Sequence, residues 1–337
     1  MAWNTAKALN IFIDNGPGTT TKADLPVAFI KVLKVLQHNG LDKVRATLQN
    51  NETVTAGSAI YWKARRNILK DYTMDQTSDP TKNFSITIQL DKLKSLSYQW
   101  ETFDLARAGV KLQDNNMLVS QAWFTNNAQG AAVSVNAYLF ASHIQGLIKA
   151  ATTNSVPIIN LKGKGVTDVN SLRSQVWFPI ANRRAEIESL VSSTYAGINP
   201  EDLVLIANPQ LINALLLSTT TLGGDLSRQR LEDGKISQIA EINVIKVPFL
   251  GQNYNVNDFD KNESFNLTAL DGILVHKEAY AFPTVAQQVF NTINYNTGNP
   301  QMIIKLAKNS KNGQALRPTL IQGFKLTGPT NKNTLKK

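Results

Sequence analysis

The 337-residue sequence contains no cysteine, which excludes disulfides, thiol nucleophiles and zinc–thiolate sites. Histidine is nearly as scarce. His38, His143 and His276 stand far apart in the chain, leaving little for histidine-based metal binding or general-base catalysis. His143 falls on the apolar side of a helical pattern and His276 inside a strand beside Lys277-Glu278, so packing or a surface pair is the expected role of each. The chain has no GxSxG, no phosphate loop ending in Gly-Lys-Ser/Thr and no GxGxxG after a strand, and Gly223-Gly224-Asp225 is a turn without the rest of such a motif. The carboxylate pairs Glu232-Asp233 and Glu186/Glu188 read as solvated faces. No enzyme, catalytic residue, metal or cofactor is expected. No run approaches the ~18 apolar residues of a membrane span, and the N-terminus lacks a basic region followed by a long apolar stretch. Neither membrane insertion nor secretion is therefore expected, and the sequons at Asn51, Asn83, Asn262 and Asn266 carry no meaning without secretion.

What is present is enough apolar residue, 42% of the chain, to bury one large core or two smaller ones. Between Asp114 and Ala151 there is no proline, and Met117, Phe124, Ala128, Ala131, Val135 and Tyr138 recur at helical spacing. A neighbouring stripe of Leu118, Ala122, Ala132, Leu139, His143 and Leu147 widens the apolar face. One long helix is predicted, capped by Asp114, Asn115 or Asn116, unless Gly130 or Gly146 bends or splits it.

Before it, Ile60, Trp62 and Ala64 alternate with Tyr61, Lys63 and Arg65, the period of a strand, and Ile68–Tyr72 is expected to return beside it as a hairpin. A third extended run covers Phe84 to Asp91. After the long helix, Asp168 to Val176 and Ile180 to Thr194 show helical periodicity, with Pro179 in the first turn of the second and Gly197 ending it. Asn208-Pro209 supplies a cap followed by a ring already near helical φ, so strand Leu203 to Ala207 should turn directly into helix Pro209 to Leu217. Val285 to Tyr295 and Gln301 to Ala307 flank a cluster of turn formers, Asn296 to Pro300. The class is α+β.

Charge is unevenly placed. Of the formal net +10, residues 301–337 hold eight positive charges and no acid, leaving +2 for the rest. Such an end, including Lys332, Lys336 and Lys337, can neutralise phosphates without reading bases; a solvated tail, disordered after Gly328-Pro329, is the alternative. Residues 53–70 carry Lys63, Arg65, Arg66 and Lys70 without an acid, whereas 75–104 are net −2. A projecting hairpin has little core of its own, so its order should come from lying on a neighbour, with opposite charge setting register. Pairing of the same segments within one chain is the alternative.

The order of these parts resembles the major capsid proteins of tailed bacteriophages, the HK97-like fold. The resemblance is carried by "NFSITIQLDKLKSLSYQWETFDLARA" (83–108), "NPEDLVLIANPQLINALLLS" (199–218), "GKISQIAEINVIKVPFL" (234–250), "LDGILVHKEAYAF" (270–282) and "NGQALRPTLIQGFKL" (312–326). It implies an N-terminal arm (1–52), an extended loop with connecting strands (53–110), a spine helix of the peripheral domain (111–160), an axial α/β domain (161–282), and return strands with the basic tail (283–337). It further implies an icosahedral shell of many copies, as hexamers and pentamers, around double-stranded DNA, with portal, scaffold and decoration proteins as partners. The location implied is the virion, with the host cytoplasm during assembly. On that resemblance Lys63, Arg65, Arg66 and Lys70 belong to a subunit interface and Lys332, Lys336 and Lys337 face nucleic acid. Some members form a Lys–Asn cross-link promoted by a glutamate, but no residues here match that arrangement. An encapsulin-type protein shell and, from a different class, a basic nucleic-acid-binding accessory protein remain as alternatives.

Overall fold

In the computed structural model the described residues are 8–46, 57–63, 84–113, 115–190, 198–219, 238–239, 242–255, 264–294 and 296–328. Strand β1 (Asn10–Asp14) turns through Gly16 and Gly18, both at positive φ, into antiparallel β2 (Thr20–Ala23). Helix α1 (Leu25–Leu36) starts where Asp24 Oδ1 accepts the Val27 amide at 3.1 Å, and buries Leu25 and Phe29. Strand β3 (Ser58–Lys63) then pairs with β4 (Phe84–Gln89), from Ser58↔Gln89 to Lys63↔Phe84. The first strand thus pairs with the third extended run, whereas Ile68–Tyr72, expected to return beside it, lies outside the described residues. The physical reason is packing: Ile88 of β4 buries beside Ala59 and Tyr61 of β3 in a small core that also holds Ala46 and Ala281.

Strand β5 (Lys92–Gln99), helix α2 (Thr102–Arg107), β6 (Lys111–Gln113) and β7 (Asn116–Val119) lead to the long helix α3 (Gln121–Thr153). Its 33 residues span roughly 50 Å at 1.5 Å per residue, and neither Gly130 nor Gly146 interrupts it. Its start differs from expectation. The cap is Ser120, whose hydroxyl accepts the Trp123 amide at 3.2 Å, because Asn116–Val119 is drawn into a strand parallel to β1, with Ile11 opposite Met117. The resulting sheet has the order β2-β1-β7-β6. Along α3 the predicted positions Phe124, Ala128, Ala131, Ala132, Val135, Tyr138, Leu139, His143 and Leu147 are buried, whereas Ala122 is exposed.

Strand β8 (Ile159–Leu161) follows, then α4 (Val169–Leu172), a π-helical turn (Arg173–Trp177) and α5 (Phe178–Glu188). The two expected helices thus run on as one helical stretch. The wide turn accommodates Pro179, which has no amide to donate. Helix α5 ends at Glu188, short of Thr194; Gly197 lies outside the described residues. Strand β9 (Leu203–Ala207) turns at Asn208 into α6 (Pro209–Thr219) as predicted, and Asn208 Oδ1 accepts the Leu211 amide at 2.8 Å. The remainder is β10 (Gln238–Ile239), β11 (Ile242–Lys246), β12 (Asn253–Asn255), β13 (Ser264–Asn266), β14 (Gly272–His276), β15 (Tyr280–Ala281), β16 (Thr284–Ile293), β17 (Pro300–Lys308), β18 (Gln314–Ala315) and β19 (Ile321–Leu326).

Two further sheets organise the chain. The larger has the order β10-β11-β9-β14-β19-β8 and mixes parallel pairs (β9 with β11, β8 with β19) with antiparallel β14. Every residue of β9 and β14 is buried, as expected of central strands covered on both faces. This sheet draws on three of the five expected segments, since β8 straddles residue 160 and the closing strand β19 inserts between β14 and β8. The smaller sheet, β16-β17-β5, is the predicted turn-linked pair joined by β5, with Gly298 at positive φ in the turn.

Candidate functional site

Three elements meet where the β3–β4 hairpin leaves the body: the end of β4, the loop between β17 and β18, and the middle of α3. Asn309 Nδ2 donates to the Gln89 carbonyl at 2.8 Å, and Asp91 accepts from the Ser310 amide (2.7 Å) and hydroxyl (2.6 Å). Those two bonds hold the Asp91 carboxyl below its ordinary range. On the other side of the hairpin base, the Ala46 amide donates to the Tyr280 carbonyl at 2.9 Å and the Arg45 guanidinium to the Phe282 carbonyl at 2.7 Å. Burial pushes the neighbouring Tyr61 phenol up to about 12, so it stays neutral.

Behind this base lies a buried polar junction. Lys308, the last residue of β17, is fully buried. Its ammonium donates to Ser142 Oγ of α3 at 2.9 Å and to Asn312 Oδ1, and sits 4.8 Å from the centre of the Tyr138 ring. Asn312 Nδ2 donates to Gln145 Oε1 at 2.7 Å, while the Tyr280 hydroxyl donates to the Asn312 carbonyl at 2.6 Å. Asn312 itself adopts φ 62° and Gly313 φ 110°, a left-handed pair that folds the loop onto the helix. His143 stacks on Phe282, centroids 4.7 Å apart, and on Tyr280 at 5.7 Å, the packing role expected of it.

The junction ties the loop after β17 to α3. Among the described residues no cluster of three or more His, Asp or Glu could hold a metal ion, and no helix is long and apolar enough to cross a membrane. His276 lies 3.7 Å from Asp202, which also receives Lys277 Nζ at 2.5 Å. Burial outweighs the attraction of Asp202 and pushes the imidazole down to about 4.

Of the predicted interface residues, Lys63 ends β3 opposite Phe84; Arg65, Arg66 and Lys70 lie outside the described residues, as do Lys332, Lys336 and Lys337. The reading of 301–337 as one basic surface needs correction. Lys308 is enclosed in the junction, and Lys325 pairs with Asp271 at 3.2 Å while donating to the Thr268 carbonyl at 2.6 Å. Lys308 and Lys325 are therefore engaged within the chain. The sequence signal for Lys308 was available, since it continues the alternation of β17 into a buried position, but counting charges passes over it.

No family model and no curated protein matches the sequence. Solved structures do match in fold. The capsid of the cyanophage P-SCSP1u superposes with a TM-score of 0.53 at 13% identity, over 85% of this chain and 87% of that one. The capsid of an empty GTA particle gives 0.52 at 11% identity, over 86% and 90%. The mature capsid of bacteriophage PhiM1 gives 0.50 at 12% identity, over 93% and 90%. The chain has the fold of these capsid structures, the HK97-like fold.

Proposed function

We propose that this chain is a major capsid protein of a tailed bacteriophage, which self-assembles as hexamers and pentamers into an icosahedral shell enclosing double-stranded DNA. The observation that carries the reading is the likeness to assembled capsids over nearly the whole chain. It is supported by a two-stranded arm whose base is bonded to the loop after β17, which Lys308 and Asn312 in turn tie to Ser142 and Gln145 of a 33-residue helix. In this reading residues 1–52 are the N-terminal arm, 53–110 the extended loop with its connecting strands, 111–160 the spine, 161–282 the axial domain, and 283–337 the return strands and tail. The acid-free stretch around Lys63, Arg65, Arg66 and Lys70 lies on a neighbouring subunit, and Lys332, Lys336 and Lys337 face the packaged DNA, where they offset phosphate repulsion. Portal, scaffold and decoration proteins would complete the virion.

The test is negative-stain microscopy of the purified protein combined with an absorbance ratio for nucleic acid. Closed shells holding nucleic acid are expected. Closed shells that enclose protein instead would favour an encapsulin-type compartment. A dispersed protein that binds DNA without forming particles would leave only the accessory-protein reading.

A further inference from the structure

Helix α1 buries Leu25 and Phe29 against the body, yet its opposite face is also apolar: Val27 is 60% exposed, Ile30 37% and Val35 80%. The exposed charges between them, Lys31 and Lys34, are both positive. Helix α2 presents an exposed aromatic side chain beside acids. Phe103 is 70% exposed between exposed Glu101 and Asp104, with the Arg107 guanidinium over its ring at 5.9 Å. Exposed apolar side chains rimmed by polar and charged ones mark association surfaces; at α2 the rim is Glu101, Asp104 and Arg107.

The two patches adjoin different edge strands of one sheet. Helix α1 continues from β2 and α2 leads into β6, and these are the two edge strands of the sheet β2-β1-β7-β6. We propose that the outer face of α1 on one copy of this chain binds the Phe103 patch of α2 on a second copy. Phe103 then inserts among Val27, Ile30 and Val35, and Lys31 and Lys34 face Glu101 and Asp104. Because the two surfaces differ, the contact is head-to-tail and repeats from copy to copy, closing into a ring where the rotation permits. Aromatic and aliphatic contact supplies affinity, and the charge pairs set orientation. The inference rests on the self-assembly proposed above and names one of its contacts.

The absence of native cysteine makes the test direct. Chains carrying Val35→Cys are mixed with chains carrying Phe103→Cys, assembled, oxidised and run on a non-reducing gel. A disulfide-linked dimer is expected from the mixture and a marked loss of it from either variant alone, since the two introduced thiols meet only across the interface. A second arm reverses charge: Lys31→Glu with Lys34→Glu, or Glu101→Lys with Asp104→Lys, should each lose fast-sedimenting particles, and the four changes together should regain them. Closed shells without the cross-link, or charge-reversed chains that assemble like the parent, would overturn this contact while leaving the capsid reading standing. Cross-linked chains without closed shells would do the opposite. Unassembled chains that give no cross-link would sink both.

Discussion

The hydroxyl of Tyr280 fills the space that a side chain on Gly146 would need: a β-carbon there would lie 2.1 Å from the hydroxyl oxygen and 2.2 Å from the carbonyl of Asn312. Gly146 is thus a point of close approach between α3 and the loop that holds the hairpin base. Gly146→Ala should push helix and loop apart and cost about 1–3 kcal/mol. Gly130→Ala, on an exposed turn with nothing within 4 Å of the new carbon, should instead stabilise by about 0.5–1 kcal/mol. Denaturant midpoints of the two variants should move in opposite directions; a shared direction would contradict the close packing at Gly146.

Lys308 links the same loop to Ser142 and Asn312. Lys308→Met keeps the volume but withdraws the donor from two enclosed acceptors, so a loss of about 1–3 kcal/mol is expected. Lys308→Ala adds a cavity and should lose more. Exposed Lys305 serves as the control, with Lys305→Ala within about 0.5 kcal/mol of the parent. Equal midpoints for all three would mean that Lys308 is not a structural tie.

Val135 and Val133 separate the two sides of α3. Val135 is fully buried and Val133 is exposed, so Val135→Asp must desolvate or protonate a carboxyl, a penalty of roughly several kcal/mol, whereas Val133→Asp meets water. The first should express insolubly and the second should remain soluble. A soluble Val135→Asp chain with unchanged melting would reverse the assignment of faces.

The buried His276 gives stability a defined pH dependence. A folded value of about 4 against 6.5 in the unfolded chain means that the unfolded state binds more protons between those limits. Its contribution is therefore complete above pH 6.5 and is lost as pH falls toward 4, by roughly 2 kcal/mol once residual solvent screening is allowed for. The positive charges of Arg317 and Lys277 act in the same direction as burial, and Asp202 acts against it. Unfolding free energies measured across this window should flatten in His276→Gln. An unchanged slope in that variant would assign the dependence to other groups.

Arg65 and Arg66 test the arm. Replacing both with Glu should leave circular dichroism unchanged but block or misdirect assembly in sedimentation, because like charges brought together cost energy at every copy of a repeated contact. Normal particles from the folded double variant would remove these residues from the interface.

Local signals were the legible part of the sequence. The joint at Asn208-Pro209 could be read because cap and ring sit side by side, and the β16–β17 pair because its turn formers cluster. The body of α3 was legible from repeated spacing, but its first turn was not. Over Asn116–Val119 burial of Met117 and Val119 suits a strand as well as a helix, and only the pairing with β1, a hundred residues away, decides. The pairing of β3 with Phe84–Gln89 was not legible for a similar reason, since it depends on a shared core with Ala46 and Ala281. The inward position of Lys308 was legible in the alternation of β17, but a count of charges passes over it.

The insertion of β19 between β14 and β8 sets the order in which a newly made chain can be finished. Strand β8 pairs with β19, so from Leu161 to Ile321 it must wait 160 residues, roughly 8–30 s of translation at ordinary speeds. Until then β14 and β8 both present open edges, which only the closing strand can cover. Truncated or half-synthesised chains therefore lack the completed main sheet on which a subunit depends. Synthesis itself therefore sets a late step, since the main sheet closes only after Leu326 has been made.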